Sequence, residues 1–457
     1  MRLLCHVWTR VVLFVFVVGL SAWASPAEAD EAVMELTALR AQLRALEGPP
    51  AYEGPPLTLD TALDEALARN PELIALRREF DVARQRPQQE RFLSPPTFEA
   101  QIWQWPINTA NPANTNMYMF MANQDIPGRG KRRLREAVAQ RESDLANNAI
   151  AVRAREVVDR VKRAYADLFL ARKETEVHHA SVELLRQFAD ISAAKYTTGR
   201  ISQQDVLKAV VELSKLHDHL IGLDEREQLA VAQLNILLDR PPHASIGPLE
   251  EARERVLLPA PSELQRLALE HQPELQSSQL EIDRAEADLA VVKQDYKPDF
   301  FVTGGYMLMP RNRDAWMGKV GITWPTAPWS RGKLDAKKAE ATAAIDAANA
   351  RRRAVENAIR LAVQDAYVRV KAAERRAALL RTSVEPQSKQ TLEVSRAAYQ
   401  TDRVDFLSLI DNQRVLLDVQ VSYFGALSSL EQALADLERA IGTTISAEML
   451  RPVEMGR

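Results

Sequence analysis

Histidine is the residue type whose spacing in this sequence most suggests chemistry. Four histidines form two pairs at similar distances on either side of Gly199, so a hairpin turning there would bring them to one height. They are His178 with His179, and His217 with His219. Imidazole is a common metal ligand. Spacings of one and two residues, however, place the members of a pair about 100° and 200° apart around a helix. We therefore predict packed or solvated histidines and no metal site.

The rest of the sequence lacks the residues of a catalytic or cofactor site. The single cysteine, Cys5, excludes an internal disulfide and a cysteine-based zinc site, and the sequence has no glycine-rich phosphate loop. A net charge of -3 gives no electrostatic reason to bind nucleic acid. A mean hydropathy of -0.26 with 26% charged residues excludes a protein with several membrane-spanning helices. Nothing in these features indicates enzymatic activity or a cofactor.

Residues 1–29 have the pattern of a secretory signal peptide. Basic residues precede an apolar run at 11–20, and A-x-A cleavage sites end at Ala24 and Ala29. The run is short for an uncleaved membrane anchor. Because no cysteine follows either site, we expect an exported protein without a lipid anchor. Residues 30–56 are expected to form an amphipathic helix and a Pro/Gly linker, with the helix either packed on the protein or free.

The remainder of the chain is a tandem duplication. The segment Ala-Arg-Asn-Pro-Glu-Leu at 68–73 recurs as Glu-His-Gln-Pro-Glu-Leu at 270–275, and four further pairs keep an offset of 202 or 203. They are Arg129-Gly130-Lys131 with Arg331-Gly332-Lys333, Tyr165 with Tyr367, Tyr196 with Tyr399, and Leu234 with Leu437. We predict four parts in chain order. They are a first repeat at 57–245, a linker at 246–258, a second repeat at 259–445 and a C-terminal tail at 446–457.

Long helices are expected in both repeats. No Gly or Pro lies between Gly130 and Gly199, and one continuous helix there would be about 100 Å long. Heptad patterns predict an antiparallel helical hairpin with its tip at 197–202, and a second with its tip at 400–405. Pro386 should kink the outgoing arm of the second hairpin. The buried seam of the first outgoing arm is predicted at Val161, Ala164, Leu168, Ala171, Thr175, His178, Val182, Leu185, Ala189, Ser192 and Tyr196.

All five tryptophans after the signal peptide fall in or beside two strand-like segments. Alternating apolar and more polar residues, clearest at 315–324, predict β-hairpins at about 97–124 and 299–325. Four strands cannot close a barrel, and open edges are not tolerated in lipid. Three copies would supply twelve strands, whereas a soluble four-stranded sheet is the alternative. The expected membrane-interface aromatics are Trp103, Trp105, Trp316, Trp324 and Trp329.

This layout resembles the TolC-like outer-membrane factors over residues 57–445. The resemblance is carried by Leu57-Thr58-Leu59 with Ala-Leu-Ala-Arg-Asn-Pro-Glu-Leu at 66–73, by Asp-Ile-Pro-Gly-Arg-Gly-Lys-Arg at 125–132, and by 399–417. The segment 125–132 is most similar to members paired with metal-exporting pumps of the resistance-nodulation-division class. The family fold is mainly α with a small β part. It implies a homotrimer whose helical hairpins form an α-barrel below a shared 12-stranded transmembrane β-barrel.

The resemblance implies an outer-membrane channel subunit of a tripartite efflux system, with a long periplasmic extension. It would be a passive exit duct for metal ions or small molecules, set in outer-membrane lipid. An inner-membrane pump and a periplasmic adaptor, or membrane fusion protein, would deliver the substrate. Two alternatives are a type I protein-secretion duct and an exported coiled-coil scaffold without a pore.

The resemblance also implies a gate at the periplasmic end. Tyr399 matches a tyrosine that links neighbouring helices, with Asp205 as its expected acceptor. Asp411 matches an entrance aspartate, and three copies would form a ring of carboxylates that favours cations. An ordinary solvated acid is the alternative for Asp411. Ser408 stands where a second entrance acid can occur, and Arg403 lies one position before a basic link of the family.

The adaptor is expected to dock on the two hairpin tips. Asp402 replaces the glycine usual at the second turn, and aspartate can adopt the required left-handed conformation at modest cost. The expected docking residues are Thr198, Gly199, Arg200 and Ile201 in the first tip, and Thr401, Asp402, Arg403 and Val404 in the second.

Overall fold

The computed structural model describes residues 54–452 and Tyr52, except for 106, 109, 110, 112 and 113. The predicted signal peptide, the predicted amphipathic helix and most of its linker, and the last five residues of the predicted tail lie outside the described residues. The chain from Gly54 onward forms one compact unit. Among the described residues, none of the helices is both long and apolar enough to pass through a lipid bilayer.

Both repeats contain short helices, a β-hairpin and a long helical hairpin, in that order. The first has helices α1 (Leu59–Arg69), α2 (Pro71–Ala83) and α3 (Arg86–Gln89), strands β1 (Thr97–Trp103) and β2 (Met117–Ile126), and helices α4 (Lys131–Thr197) and α5 (Gln203–Leu237). The second has α6 (Pro261–His271), α7 (Pro273–Gln294), β4 (Phe300–Leu308), β5 (Ala315–Ile322), α8 (Arg331–Leu379), α9 (Glu385–Gln400) and α10 (Phe406–Ile441).

The segments predicted as linker and tail contain a small sheet. Strand β3 (Arg255–Leu257) pairs antiparallel with β6 (Leu450–Pro452), so the region between the repeats is tied to the end of the second repeat. Three residues are too few to show a strand period in sequence. The sequence gives no indication of this pairing.

The short helices of each repeat break before a proline. Asn70 precedes Pro71 and adopts an extended ψ of 123°, as steric contact with a following proline favours. Its side chain accepts from the Glu72 amide and donates to the Leu237 carbonyl at 3.2 Å. Gln272, before the second repeat's proline, donates to the carbonyl of Arg439 at 2.9 Å. In both repeats an amide side chain therefore ties the break to the end of the returning arm.

The outgoing arm of the first hairpin is one uninterrupted helix. Helix α4 has 67 residues, which corresponds to about 100 Å. The predicted seam is buried except at half-buried His178 and at Tyr196, which is 37% exposed. The second outgoing arm differs, because a π-helical turn at Leu380–Val384 separates α8 from α9. Pro386 lies in the first turn of α9, so the interruption is a widened turn just before the predicted kink.

The three largest buried clusters of the described residues hold the helices together. One unites α1, α2, α4 and α5 of the first repeat, and another unites α6, α7, α8 and α10 of the second. The third lies toward the tips and combines α4 and α5 with α9 and α10. The repeats thus have separate cores at one end and share a core near the tips. Each buried Leu or Phe contributes about 1.5–3 kcal/mol relative to exposure.

The two β-hairpins form one antiparallel sheet in the order β1-β2-β4-β5. Strands β2 and β4 join the repeats, with Phe120 opposite Tyr306. Cross-strand partners share a face, and the face containing Phe120 is mainly apolar. Its members are Phe98, Ala100, Ile102, Tyr118, Phe120, Ala122, Gln124, Ile126, Phe300, Val302, Gly304, Tyr306, Leu308, Trp316, Gly318, Val320 and Ile322. We call this set the apolar face.

Candidate functional site

The two hairpin tips have the same backbone turn. After α4, the Arg200 amide donates to the Lys195 carbonyl and the Gly199 amide donates to the Tyr196 carbonyl, at 3.0 and 2.9 Å. After α9, Arg403 and Asp402 make the equivalent bonds to Ala398 and Tyr399, at 2.9 and 3.3 Å. This pair of bonds defines the Schellman motif, which needs a left-handed residue after the helix. Gly199 and Asp402 supply it, with φ of +69° and +59°.

Tyr399 lies buried between the two hairpins. It is 2% exposed, and its ring lies 5.7 Å from that of Phe406. Its hydroxyl is 2.9 Å from Ser192 Oγ, and since Ser192 donates to the Phe188 carbonyl, Tyr399 donates to Ser192. Burial raises the pKa of the Tyr399 hydroxyl, and Asp205 adds to the rise. The hydroxyl therefore stays protonated and holds α9 against α4.

The expected hydrogen bond between Tyr399 and Asp205 does not form within the chain. Asp205 instead lies at the start of α5, where its carboxylate is 3.4 Å from Ser202 Oγ. Ser192 occupies the bonding position because it lies on the face of α4 against which the tyrosine ring packs. Within one copy, Ser192 and not Asp205 is therefore the hydrogen-bond partner of Tyr399.

Lys195 also links the two tips and is not among the residues expected at the gate. The lysine is 9% exposed, and its ammonium group lies 4.2 Å from the centre of the Tyr399 ring. It donates to the Tyr399 carbonyl and, at 2.5 Å, to Asp402 Oδ1. This hydrogen bond lowers the pKa of Asp402, so the carboxylate stays charged. We call Ser192, Lys195, Tyr399 and Asp402 the tip latch.

A comparison of the two repeats in sequence indicates the role of Lys195. At the offset of 203, Lys195 corresponds to Ala398 and Gly199 corresponds to Asp402. The first tip thus has a lysine whose counterpart in the second tip is uncharged. The second tip has an aspartate whose counterpart in the first tip is uncharged, and both lie in or beside the same kind of turn. Complementary departures of this kind indicate that the two turns contact each other.

Asp411 and Arg403, the residues expected at the entrance, are both exposed. Asp411 lies 3.5 Å from Arg414, whose guanidinium also pairs with Glu212 of α5 at 2.5 Å. Burial raises the pKa of Glu212, but hydrogen bonds from Arg414 and Lys215 outweigh it and lower that pKa overall. Arg414 therefore joins the returning arms of the two hairpins, beside the predicted entrance.

The tryptophans lie at both ends of the sheet. Trp103, Trp105 and Trp316 are near the hairpin turns, and Trp324 and Trp329 follow β5 on the side toward the helices. Trp324 and Trp329 contact each other edge-on at 6.0 Å, and Trp316 contacts Tyr306 at 5.2 Å. All five are exposed, and Trp316 and Trp329 expose more than four-fifths of their surface.

Duplicated helical hairpins attached to a sheet with one exposed apolar face define a channel-type protein of the TolC-like class. The chain belongs to the outer membrane efflux protein family, whose model matches residues 62–239 and 264–443. It is accordingly a channel component of the outer membrane and not an enzyme.

Individual relatives are similar over most of the chain. The cobalt-zinc-cadmium resistance protein CzcC of Cupriavidus metallidurans is 25% identical over 391 residues, which are 85% of this chain and 90% of that protein. The outer membrane protein VceC of Vibrio cholerae has a TM-score of 0.70 at 18% identity, covering 84% of this chain and 96% of its own. The Neisseria gonorrhoeae MtrE outer membrane channel, in its open state, has a TM-score of 0.68 at 17% identity, with coverages of 84% and 89%.

Proposed function

We propose that the chain is the outer-membrane duct of a tripartite system that exports divalent metal ions. Family membership supports the efflux duct, and the likeness to a cobalt-zinc-cadmium resistance protein supports the cargo. The protein is a passive exit for ions that a periplasmic adaptor and an inner-membrane pump deliver. A protein-secretion duct and a scaffold without a pore are the competing functions.

The exposed apolar face is the observation that carries the proposal. Phe98, Trp316 and Val320 expose 75–82% of their surface. If this face were in contact with water, the protein would forgo the free energy gained by burying these side chains. Trp316 and Trp324 are eight residues apart, about 26 Å along an extended strand. At the 35–45° tilt of barrel strands this length corresponds to about 18–22 Å of height, so the two tryptophans would lie near opposite edges of the roughly 25 Å apolar band, close to its aromatic girdles.

Closure of the sheet requires other copies of the chain. Strands β1 and β5 are the ends of the sheet and run in opposite directions, so β5 of one copy can pair antiparallel with β1 of the next. Three copies in a ring give twelve strands without a free edge. The opposite face then lines the lumen with polar groups such as Glu99, Lys319 and the hydrogen-bonded pair Thr303 and Asn123.

The tips form the periplasmic gate of this duct. The tip latch holds the two hairpins of a copy together, and Asp205, Asp411 and Arg403 stand around the opening. A ring of three Asp411 carboxylates attracts cations at the entrance. The exposed tip turns, 198–201 and 401–404, receive the adaptor, which opens the gate by separating the hairpins.

The mass of protein extracted with detergent from washed outer membranes tests the assembly. Light scattering should give a particle of three chains. A Val320→Arg variant should fail to reach that state, because a charge on the lipid-facing side costs about 2–4 kcal/mol near the bilayer midplane. Lys319→Arg, on the opposite face of the same strand, is the matched control. A monomer or dimer in the soluble fraction would contradict the proposal.

Deletion of the gene tests the cargo separately. Cells without the duct should become sensitive to cobalt, zinc or cadmium salts, and the wild-type gene should restore resistance. Sensitivity to drugs alone would contradict the metal cargo while keeping the duct, and loss of a secreted protein would favour the secretion function.

A further inference from the structure

The two histidine pairs meet across the first helical hairpin. The rings of His178 on α4 and His219 on α5 lie with centroids 6.0 Å apart. The pKa of His179 is lowered by burial and then by the charge of His217, which lies on the other arm. The predicted separation of neighbouring histidines around one helix is correct, but each pair takes one ring from each arm.

Hydrogen bonding sets the nitrogen that His178 presents. Its Nδ1 lies 2.7 Å from the carbonyl oxygen of Glu174. A carbonyl only accepts, so Nδ1 carries the proton of the neutral ring and Nε2 keeps its lone pair. Metal-bound histidines typically have this arrangement, with one nitrogen donating to a backbone carbonyl and the other ligating the metal.

The surroundings of His178 lower the pKa of its imidazole. Burial is the largest effect and lowers the pKa of His178, and the charge of His219 lowers it further. Against these act the Glu174 carbonyl and carboxylate and Asp418 of α10, and the Glu174 carboxylate is paired with Arg226 at 2.5 Å. The lowering dominates, so the pKa of His178 lies below its ordinary value.

We propose that His178 and His219 bind one divalent transition-metal ion between the arms of the first hairpin. Two imidazoles on a tetrahedral zinc ion have centroids about 5 Å apart, since each Zn–N bond is about 2.0–2.1 Å. The observed separation of 6.0 Å exceeds this by about 1 Å, so the shared site requires side-chain rotations that turn one free nitrogen of each ring toward the ion. No group of three or more potential ligands converges anywhere in the described residues, so the proposed site has two protein ligands.

A bound ion would cross-link α4 and α5 about 20 residues from the tip, which is about 30 Å along the helices. The site lies in the wall of the hairpin that carries Lys195, so metal binding would stiffen the support of the tip latch. The proposal does not depend on the exported cargo, because it concerns the affinity of two imidazoles for an ion.

Titration calorimetry with Zn²⁺ on the detergent-purified full chain at pH 7.5 tests the site. His178→Asn is the main variant, because asparagine can still donate to the Glu174 carbonyl but lacks Nε2. His178→Asn and His219→Ala should each weaken Zn²⁺ binding at least about tenfold, since each removes one of two protein ligands. His271→Ala is the matched control, because His271 also approaches the carbonyl four residues earlier, at 3.1 Å. It should bind Zn²⁺ like the wild type.

Three results would overturn the proposal. The first is wild-type affinity in both His178→Asn and His219→Ala, with unchanged helical circular dichroism. The second is no detectable Zn²⁺ binding by the wild type. The third is loss of binding in His179→Ala with His217→Ala but not in the main variants, which would assign the ion to the other pair. Binding of Zn²⁺ in cells that export no metal would leave the proposal intact and contradict only the proposed cargo.

Discussion

The two repeats use opposite charges at equivalent positions to hold the linker between them. Arg172 on α4 donates to the carbonyls of Ile246 and Gly247, at 2.7 and 2.6 Å. The residue 202 positions later is Glu374 on α8, whose carboxylate accepts from the Leu257 amide at 2.7 Å. The contact lies at equivalent positions in the two repeats, but the side chain donates hydrogen bonds in the first and accepts one in the second. Each arm binds the backbone groups that the linker offers at its own end.

The turn from sheet to helix has diverged further. In the first repeat Gly130 is left-handed with φ of +89°, and a Cβ on Gly128 would lie 2.4 Å from the Pro298 carbonyl oxygen. The next residue, Lys131, is buried and pairs with Asp299 at 2.9 Å. Its counterpart Lys333 is exposed on α8. One motif is thus a structural joint in the first repeat and an ordinary helix start in the second.

Among the variants that test this difference between the repeats, Arg172→Met should cause the largest loss of stability. Its side chain is 6% exposed and also pairs with Glu227 at 2.9 Å, so the change leaves a carboxylate and two carbonyls without their donor. We expect a loss of about 3–5 kcal/mol. Glu374→Gln keeps an acceptor for Leu257 and should cost only about 0.5–1.5 kcal/mol. Thermal unfolding followed by helical circular dichroism measures both, with exposed Arg396→Met as control. Equal losses would refute the asymmetry.

Lys131→Met should have the next largest effect. The ammonium group is buried and its partner Asp299 is partly exposed, so we expect about 1–3 kcal/mol. The equivalent change Lys333→Met removes an exposed charge and should stay within about 0.5 kcal/mol. The same unfolding experiment on the purified protein separates them. A cost at position 333 that equals the cost at 131 would show that both repeats use the motif alike.

The tip latch offers a third test. Lys195→Met removes the donor to Asp402, and we expect about 1–2 kcal/mol less attraction between the tips, a roughly fivefold to thirtyfold more frequent opening. Tyr399→Phe should have a similar but smaller effect, whereas Tyr196→Phe, at the exposed equivalent position, should have none. Single-channel recordings in planar bilayers measure the opening. Opening by Tyr196→Phe as large as by Tyr399→Phe would remove the latch from the gate.

The sequence patterns predicted the helices, strands and turns better than they predicted which residues contact each other. The absence of Gly and Pro between Gly130 and Gly199 predicted the length of α4. The alternation of apolar and more polar residues at 315–324 predicted β5. Gly199 and Asp402 marked the turns, because few residue types tolerate a left-handed backbone. These are local properties, each set by a few neighbouring residues.

Contacts between distant elements could not be read in the same way. The bond between Ser192 and Tyr399 joins residues 207 positions apart and depends on how two helices are rotated about their axes. The ring contact of His178 and His219 likewise depends on two helices, whereas helical spacing describes only one. In this sequence, contacts between distant elements are indicated only by comparing the two repeats, through complementary changes such as those at Lys195 and Asp402.

The smallest expected effect concerns the entrance, where equivalent positions again differ in charge. Asp411 of the second hairpin corresponds to Lys208 of the first. Asp411→Asn should weaken block by a divalent cation about threefold to tenfold, since the three exposed carboxylates of the proposed trimer would attract cations through screened fields. Lys208→Gln removes a repelling charge and should strengthen the block slightly. Single-channel recordings with added Co²⁺ give both affinities. Unchanged block in Asp411→Asn would exclude this residue from the entrance, and a shared direction for the two variants would contradict a charge-based mechanism.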